Sequence, residues 1–199
     1  MKKLDISFYH RDDVLAIARE LIGMVLVTNF EGRLTSGMIV ETEAYAGVTD
    51  KASHAYGARH TARTGVMYQA GGVAYVYLCY GIHHLFNIVT NEADIPHAVL
   101  IRALQPLEGI DTMMERRRKA LADYSLTRGP GSLAQALGLN TAHSGSSLLD
   151  NDHIWLEDRN MPAGEIISGP RIGVDYAGED AALPYRFWQK GNKYVSKPS

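Results

Sequence analysis

The chain has 199 residues, of which 46% are hydrophobic and 21% charged, with one cysteine and a formal net charge of −2. This length supports one domain, 1–199, around one core, and the composition excludes a disordered, collagen-like or coiled-coil protein. The lone Cys79 excludes an internal disulfide and a cysteine-built zinc or iron–sulfur site, and no run approaches the roughly 18 to 20 apolar residues of a membrane span. The expectation is a cytoplasmic, intracellular protein with no membrane partner.

From Asp12 the run DDVLAIARELIG sets Val14, Ile17, Ala18, Leu21 and Ile22 on one helical face, with Asp12 or Asp13 as the cap and Gly23 as the stop. A strand, a turn at EGR and the strand TSGMIVETEAY then read as a hairpin. Residues 46–72 form a long polar segment without periodicity, a length that goes with function or with disorder. VAYVYLCYG and HHLFNIVTN are strand-like runs separated by a glycine turn, and HAVLIRALQPLEG is a further strand. GIDTMMERRRKALA and GPGSLAQALGL read as helices, the second capped by Ser132, and HIWLED, EIISGPRIGV and YRFWQKG read as short strands. Cys79 reads as a buried packing residue. The expected fold class is α+β: a single compact domain with a curved, mainly antiparallel β-sheet and surrounding helices.

The acidic balance argues against a nucleic-acid partner until the chain is divided. Residues 1–50 hold 5 Lys/Arg against 8 Asp/Glu, residues 51–132 hold 9 against 6, and residues 133–199 hold 6 against 8. The positive excess therefore lies in the middle, directly after the strand ending in VETEAY.

That strand carries the first candidate chemistry. Side chains two apart on a strand share a face, so Glu41, Glu43 and Tyr45 point one way. Two carboxylates so placed form either an acid–base pair or a solvated edge, and His54 adds a titratable imidazole nearby. In YVYLCYG, Tyr75, Tyr77 and Cys79 share a face; tyrosines in a strand fill a core or stack on unpaired bases. Arg59 and Arg63 sit in the polar loop, where they are either solvated or contacts for phosphates. RRRK at 116–119 spreads around its helix as a wet face. Arg102 interrupts the apolar AVLIRAL, and a charge among such neighbours needs an anionic partner. His83 and His84 are adjacent and point apart, so no zinc geometry is present and no metal is expected. GPG before Ser132 lacks the lysine and spacing of a phosphate-binding loop and reads as a tight turn.

In order, VETEAY with His54, RHTARTGVMY, GGVAYVYLCYGIHHLFNIVT, VLIRALQPLEG, RGPGSLAQALGL and PRIGVDYAG with PYRFW resemble the alkyladenine (3-methyladenine) DNA glycosylase family over nearly the whole chain. Tyr68 departs mildly, standing where that family often has Phe. The resemblance implies a monomeric, cofactor-free, monofunctional enzyme acting on double-stranded DNA containing damaged purines: 3-methyladenine and 7-methylguanine, with hypoxanthine and ethenoadenine as further candidates. It implies that Glu43 activates the attacking water and that Arg102 and Asn87 line the pocket. By the same resemblance Tyr45 and Tyr77 sandwich the flipped base, His54 meets its edge and Tyr80 wedges into the DNA stack. Glu41 matches no catalytic residue and is expected to be support or solvated surface. Two other readings stand beside this one: a nucleoside or glycoside hydrolase using Glu41 and Glu43 as its pair, and a non-catalytic nucleic-acid-binding domain. For the DNA-binding readings, affinity is expected to fall steeply with salt through Arg59, Arg63 and a few other phosphate contacts.

Overall fold

Asp13, not Asp12, opens the first long helix, accepting hydrogen bonds from the Leu15 and Ala16 amides; this helix, α2 (Val14–Glu20), follows a short α1 (Ile6–Tyr9). The computed structural model describes residues 2–196. Val14, Ile17 and Ala18 are buried as their spacing requires, and Gly23 turns the chain at a φ of 95°. The chain then enters β2 (Val25–Phe30), which pairs with β3 (Arg33–Tyr45) through Phe30 and Arg33. The turn between them places Glu31 and Gly32 at positive φ, the mirror-image turn that suits a tight hairpin.

The other strands are β1 (Lys2–Lys3), β4 (Val73–Cys79), β5 (His83–Thr90), β6 (His97–Glu108), β7 (Ile154–Asp158), β8 (Ile166–Gly169) and β9 (Arg186–Gln189). They form one curved, antiparallel sheet in the order β1-β7-β2-β3-β6-β5-β4, with β9 joining β3 and β8 lying outside β9. One edge of β3 is shared: β2 pairs with Arg33–Met38 and β9 with Glu41–Glu43. The opposite edge pairs with β6 along its length. The middle of β3 is thus enclosed on both edges, which is why every residue from Ser36 to Ala44 for which side-chain burial matters, the two glutamates included, is buried.

The main core lies between the sheet and α2, α3 (Ile110–Arg117) and α4 (Pro130–Leu137), where Leu133, Ala134, Ala136 and Leu137 pack against Phe86, Ile101 and Leu104. Three helical or strand expectations need correction. The α3 helix ends at Arg117, not near Ala122, because Arg118 is left-handed and the next apolar residue, Leu121, finds no core and is exposed. The cap of α4 is Gly129 with Pro130 as the first helical residue, so Ser132 lies within the first turn. EIISGPRIGV is a strand only over Ile166–Gly169; Pro170 ends it, and the following residues fold onto the sheet as a loop. The 46–72 segment is ordered by three short 3-10 turns and by hydrogen bonds among Thr61, Thr64 and Arg59.

Candidate active site

Two bulges set the geometry of the site. Between β3 and β6 the register runs Ile39 to Leu104, Glu41 to Ala103 and Thr42 to Ile101, so Val40 and Arg102 are the extra residues. Bulges re-aim side chains, and here they turn Arg102 toward the glutamate face of β3. Past the bulge, Thr42 donates its hydroxyl to the Ala18 carbonyl on the core side, at 2.8 Å. Glu41, Glu43 and Tyr45 take the other side, as alternation requires.

Glu43 has no exposed surface. Its Oε1 accepts the Ile172 amide at 2.7 Å and faces Arg102 Nη1 at 3.2 Å, while Oε2 accepts the Tyr45 hydroxyl at 2.9 Å. Tyr45, Arg102 and Ile172 all line one cleft, so the carboxylate lies directly behind that cleft's wall. Burial and the neighbouring Glu43 carboxylate hold the Tyr45 phenol well above its ordinary pKa, which fixes it as the donor. Burial works to lower the Arg102 pKa, but Glu43 and Glu41 outweigh it and the guanidinium is held above its ordinary value.

Glu41 is also fully buried, which removes the solvated reading. Its Oε1 accepts from Arg102 Nε at 3.0 Å, Arg186 Nε at 2.7 Å and Ser196 Oγ at 2.7 Å, and its Oε2 accepts the Ser196 amide at 2.6 Å. A carboxylate so filled is no acid–base partner for Glu43, and the paired-carboxylate hydrolase reading loses its second group.

In front of Glu43 lies a cleft, open to solvent, that adjoins a smaller inner recess. Tyr45, His54, Tyr77 and Tyr176 line both; Tyr75, Asn87, Met67, Ala52 and Ala98 line the recess. The His54 ring meets Tyr77 edge-on at 4.6 Å, and its Nδ1 shares a 2.8 Å hydrogen bond with the Tyr75 hydroxyl. Burial, with Arg63 and Arg59 adding repulsion, pushes the His54 pKa down to about 4, while burial pushes Tyr75 up to about 12. At neutral pH these rings carry no charge. Asn87 is buried on β5 opposite Tyr75 and donates to the Tyr75 carbonyl at 3.1 Å.

Tyr80 stands at the tip of the β4–β5 hairpin, 89% exposed and at a φ of 51°. It also lines the outer cleft, as does Cys79, which is half-buried and so not the core residue expected. Arg59 and Arg63 are exposed on the loop beside His54, in ion pairs with no carboxylate among the described residues. His83 is exposed and His84 half-buried on the same hairpin. Of the residues singled out in the sequence, Tyr45, His54, Tyr77, Tyr80 and Arg102 line the cleft and Asn87 lines the recess, Glu43 lies behind the wall, and Glu41, Arg59 and Arg63 line neither chamber.

The profile of the methylpurine-DNA glycosylase family matches residues 7–193. The chain belongs to the methylpurine-DNA glycosylase family. It is therefore a DNA glycosylase of base-excision repair, with DNA as its substrate. Two similar proteins, from Chlamydia abortus and Clostridium perfringens, are each named "Putative 3-methyladenine DNA glycosylase". The first is 51% identical over 182 residues, covering 91% of this chain and 95% of that protein. The second is 42% identical over 204 residues, covering 98% of this chain and 99% of that protein.

The candidate site also includes residues that the sequence did not single out. Arg171 is buried in bidentate contact with Asp50 and donates to the Ala44 carbonyl at 2.9 Å, with its guanidinium over the Tyr45 ring. This anchors the loop that presents the Ile172 amide to Glu43. Arg186, opposite Glu43 on β9, is the second. Both arginines sit among apolar neighbours, in PRIGV and PYRFW, the same signal that marked Arg102. The Ile172 contact has no such signal, because it is made by the backbone.

Proposed function

We propose that this glycosylase flips alkylated purines, 3-methyladenine and 7-methylguanine first, out of duplex DNA and hydrolyses the N-glycosidic bond with a water activated by Glu43. The observation that carries the reading is the buried Glu43 carboxylate, held by Tyr45, Arg102 and the Ile172 amide behind the wall of an aromatic cleft.

A base inside a duplex is out of reach, and extruding it costs a few kcal/mol of stacking and pairing. Stacking on Tyr45 and Tyr77 offsets part of this cost, and the exposed Tyr80 ring fills the gap left behind. Alkylation at a ring nitrogen makes the purine electron-poor or cationic, and an aromatic face attracts positive charge. The recess helps by being neutral: His54 is uncharged at pH 7, so the slot itself adds no positive charge against a cationic base.

The water oxygen bonds to the anomeric carbon as the bond to the purine nitrogen breaks, and the base leaves with the bonding electrons. The water's proton passes to Glu43. Positive charge grows on the deoxyribose in the transition state, and the same carboxylate stabilises it. Arg102 and the Ile172 amide keep Glu43 aimed at the wall through which the water must approach. Among the described residues, none that lines either chamber is a lysine, which favours direct hydrolysis over a Schiff-base lyase step. Asn87 and the recess width are the proposed discriminators among hypoxanthine, ethenoadenine and undamaged purines.

The test is incubation with duplex oligonucleotides carrying one lesion each, followed by alkaline cleavage at abasic sites. Strand scission at the alkylated purines, dependent on the alkali, is the expected result. Binding to every duplex with scission at none supports a non-catalytic binding domain.

A further inference from the structure

We propose that Glu41 is a positioning residue for the reaction: with Arg186 and Ser196 it holds the Arg102 guanidinium at the angle that aims Nη1 at Glu43. This rests on Glu43 being the base and extends that reading to the buried layer behind it.

The three nitrogens of Arg102 each have a different partner. Nε donates to Glu41 at 3.0 Å, Nη1 lies 3.2 Å from Glu43 and Nη2 donates to the Ser196 hydroxyl at 3.4 Å. A guanidinium is planar and rigid, so holding Nε and Nη2 fixes where Nη1 points. The backbone does not do this by itself, since Arg102 sits in a bulge where the ladder is interrupted. Glu41 in turn is locked by Arg186, whose Nη2 donates to the Ser196 carbonyl at 3.0 Å, so that Ser196 closes the clamp through its amide, hydroxyl and carbonyl. Glu41 and Arg186 are absent from the cleft wall, and substrate does not explain their presence. Ser196 lies beyond residues 7–193, the part that carries the family pattern. The chain's own C-terminal segment therefore completes the support for Arg102.

Without Glu41, Arg102 would keep Glu43 as its one acidic partner and swing onto it with two nitrogens. The base would then be occupied by the cation meant to orient it. The proposal is tested by single-turnover base release and by separate measurement of DNA affinity, on a 7-methylguanine duplex, for Glu41→Gln, Ser196→Ala, Ser196→Thr and Glu43→Gln in the full chain. Misplacing a catalytic group by about 1 Å can slow reaction by about 100-fold. Glu41→Gln is expected to show such a loss with Kd within about 3-fold of the parent, Ser196→Ala a smaller loss of the same kind, and Ser196→Thr parental release. If Glu41→Gln does not fold, the Ser196 pair carries the test. Parental release by Glu41→Gln and Ser196→Ala, while Glu43→Gln is inactive, overturns the positioning role alone. Equal losses in release and affinity, or no rescue by threonine, also overturn it. Parental release by Glu43→Gln overturns the catalytic reading beneath it.

Discussion

Tyr45 donates its hydroxyl to Glu43 Oε2 at 2.9 Å, across two residues of the same strand, while its ring forms part of the cleft wall. One side chain thus both walls the cleft and orients the carboxylate. Tyr45→Phe separates the two roles. A hydrogen bond to a charged group contributes about 1.5 to 3 kcal/mol, so release is expected to slow by about 10- to 100-fold while stacking, and with it DNA affinity, is kept. Single-turnover kinetics beside a binding titration checks this.

His54 makes stability depend on pH in a defined direction. Its folded pKa, about 4, lies below the ordinary 6.5, through burial first and then Arg63 and Arg59. Below 6.5 the unfolded chain takes up a proton that the folded chain refuses, so stability present above that pH is lost as pH falls from 6.5 through 4. Urea unfolding at pH 7 and pH 5 is expected to show the loss, reduced in His54→Gln. In Arg63→Ala the imidazole resonance of His54 is expected to titrate at higher pH than in the parent.

Arg171 and Asp50 form a bidentate pair in which neither side chain is more than 1% exposed. Removing one partner of such a pair leaves a buried charge, at a cost of about 3 to 5 kcal/mol. Arg171→Ala is expected to lose that much stability in denaturant unfolding. It is also expected to lose activity under conditions where it remains folded, because the Ile172 amide no longer has its anchor.

Tyr80 is exposed and sits in a left-handed conformation that a bulky residue adopts at a cost of about 1 kcal/mol or more. Tyr80→Gly relieves that strain and adds a similar entropic cost in the unfolded chain, so the melting temperature is expected to stay near the parent's. Release from duplex DNA is expected to fall while release from a single-stranded oligonucleotide is kept. A wedge matters only where there is a stack to fill.

Much of this was legible in the linear chain. Alternation in VETEAY put Glu43 and Tyr45 on one face, and the isolated charge in AVLIRAL marked Arg102 as paired. The identity of its partners was not legible, because two bulges decide which way Arg102 points and a bulge leaves no periodic trace. The same limit applied to Glu41. Sequence spacing gave it the same standing as Glu43, and only the arrival of β9 and the C-terminal segment on that edge of the strand filled it with donors. The early end of α3 follows from what the helix finds to pack against, which is a tertiary property, whereas the glycine cap of α4 follows locally from Pro130 at the first helical position.

The most direct measurement is single-turnover release of 7-methylguanine from duplex DNA by Glu43→Gln, with the affinity of the same variant for the same duplex. A general base supplies about 10²- to 10⁴-fold in rate. A loss of at least about 100-fold with Kd within about 3-fold of the parent is the expected result. Release at the parental rate would contradict the assignment of Glu43 as the group that activates the water.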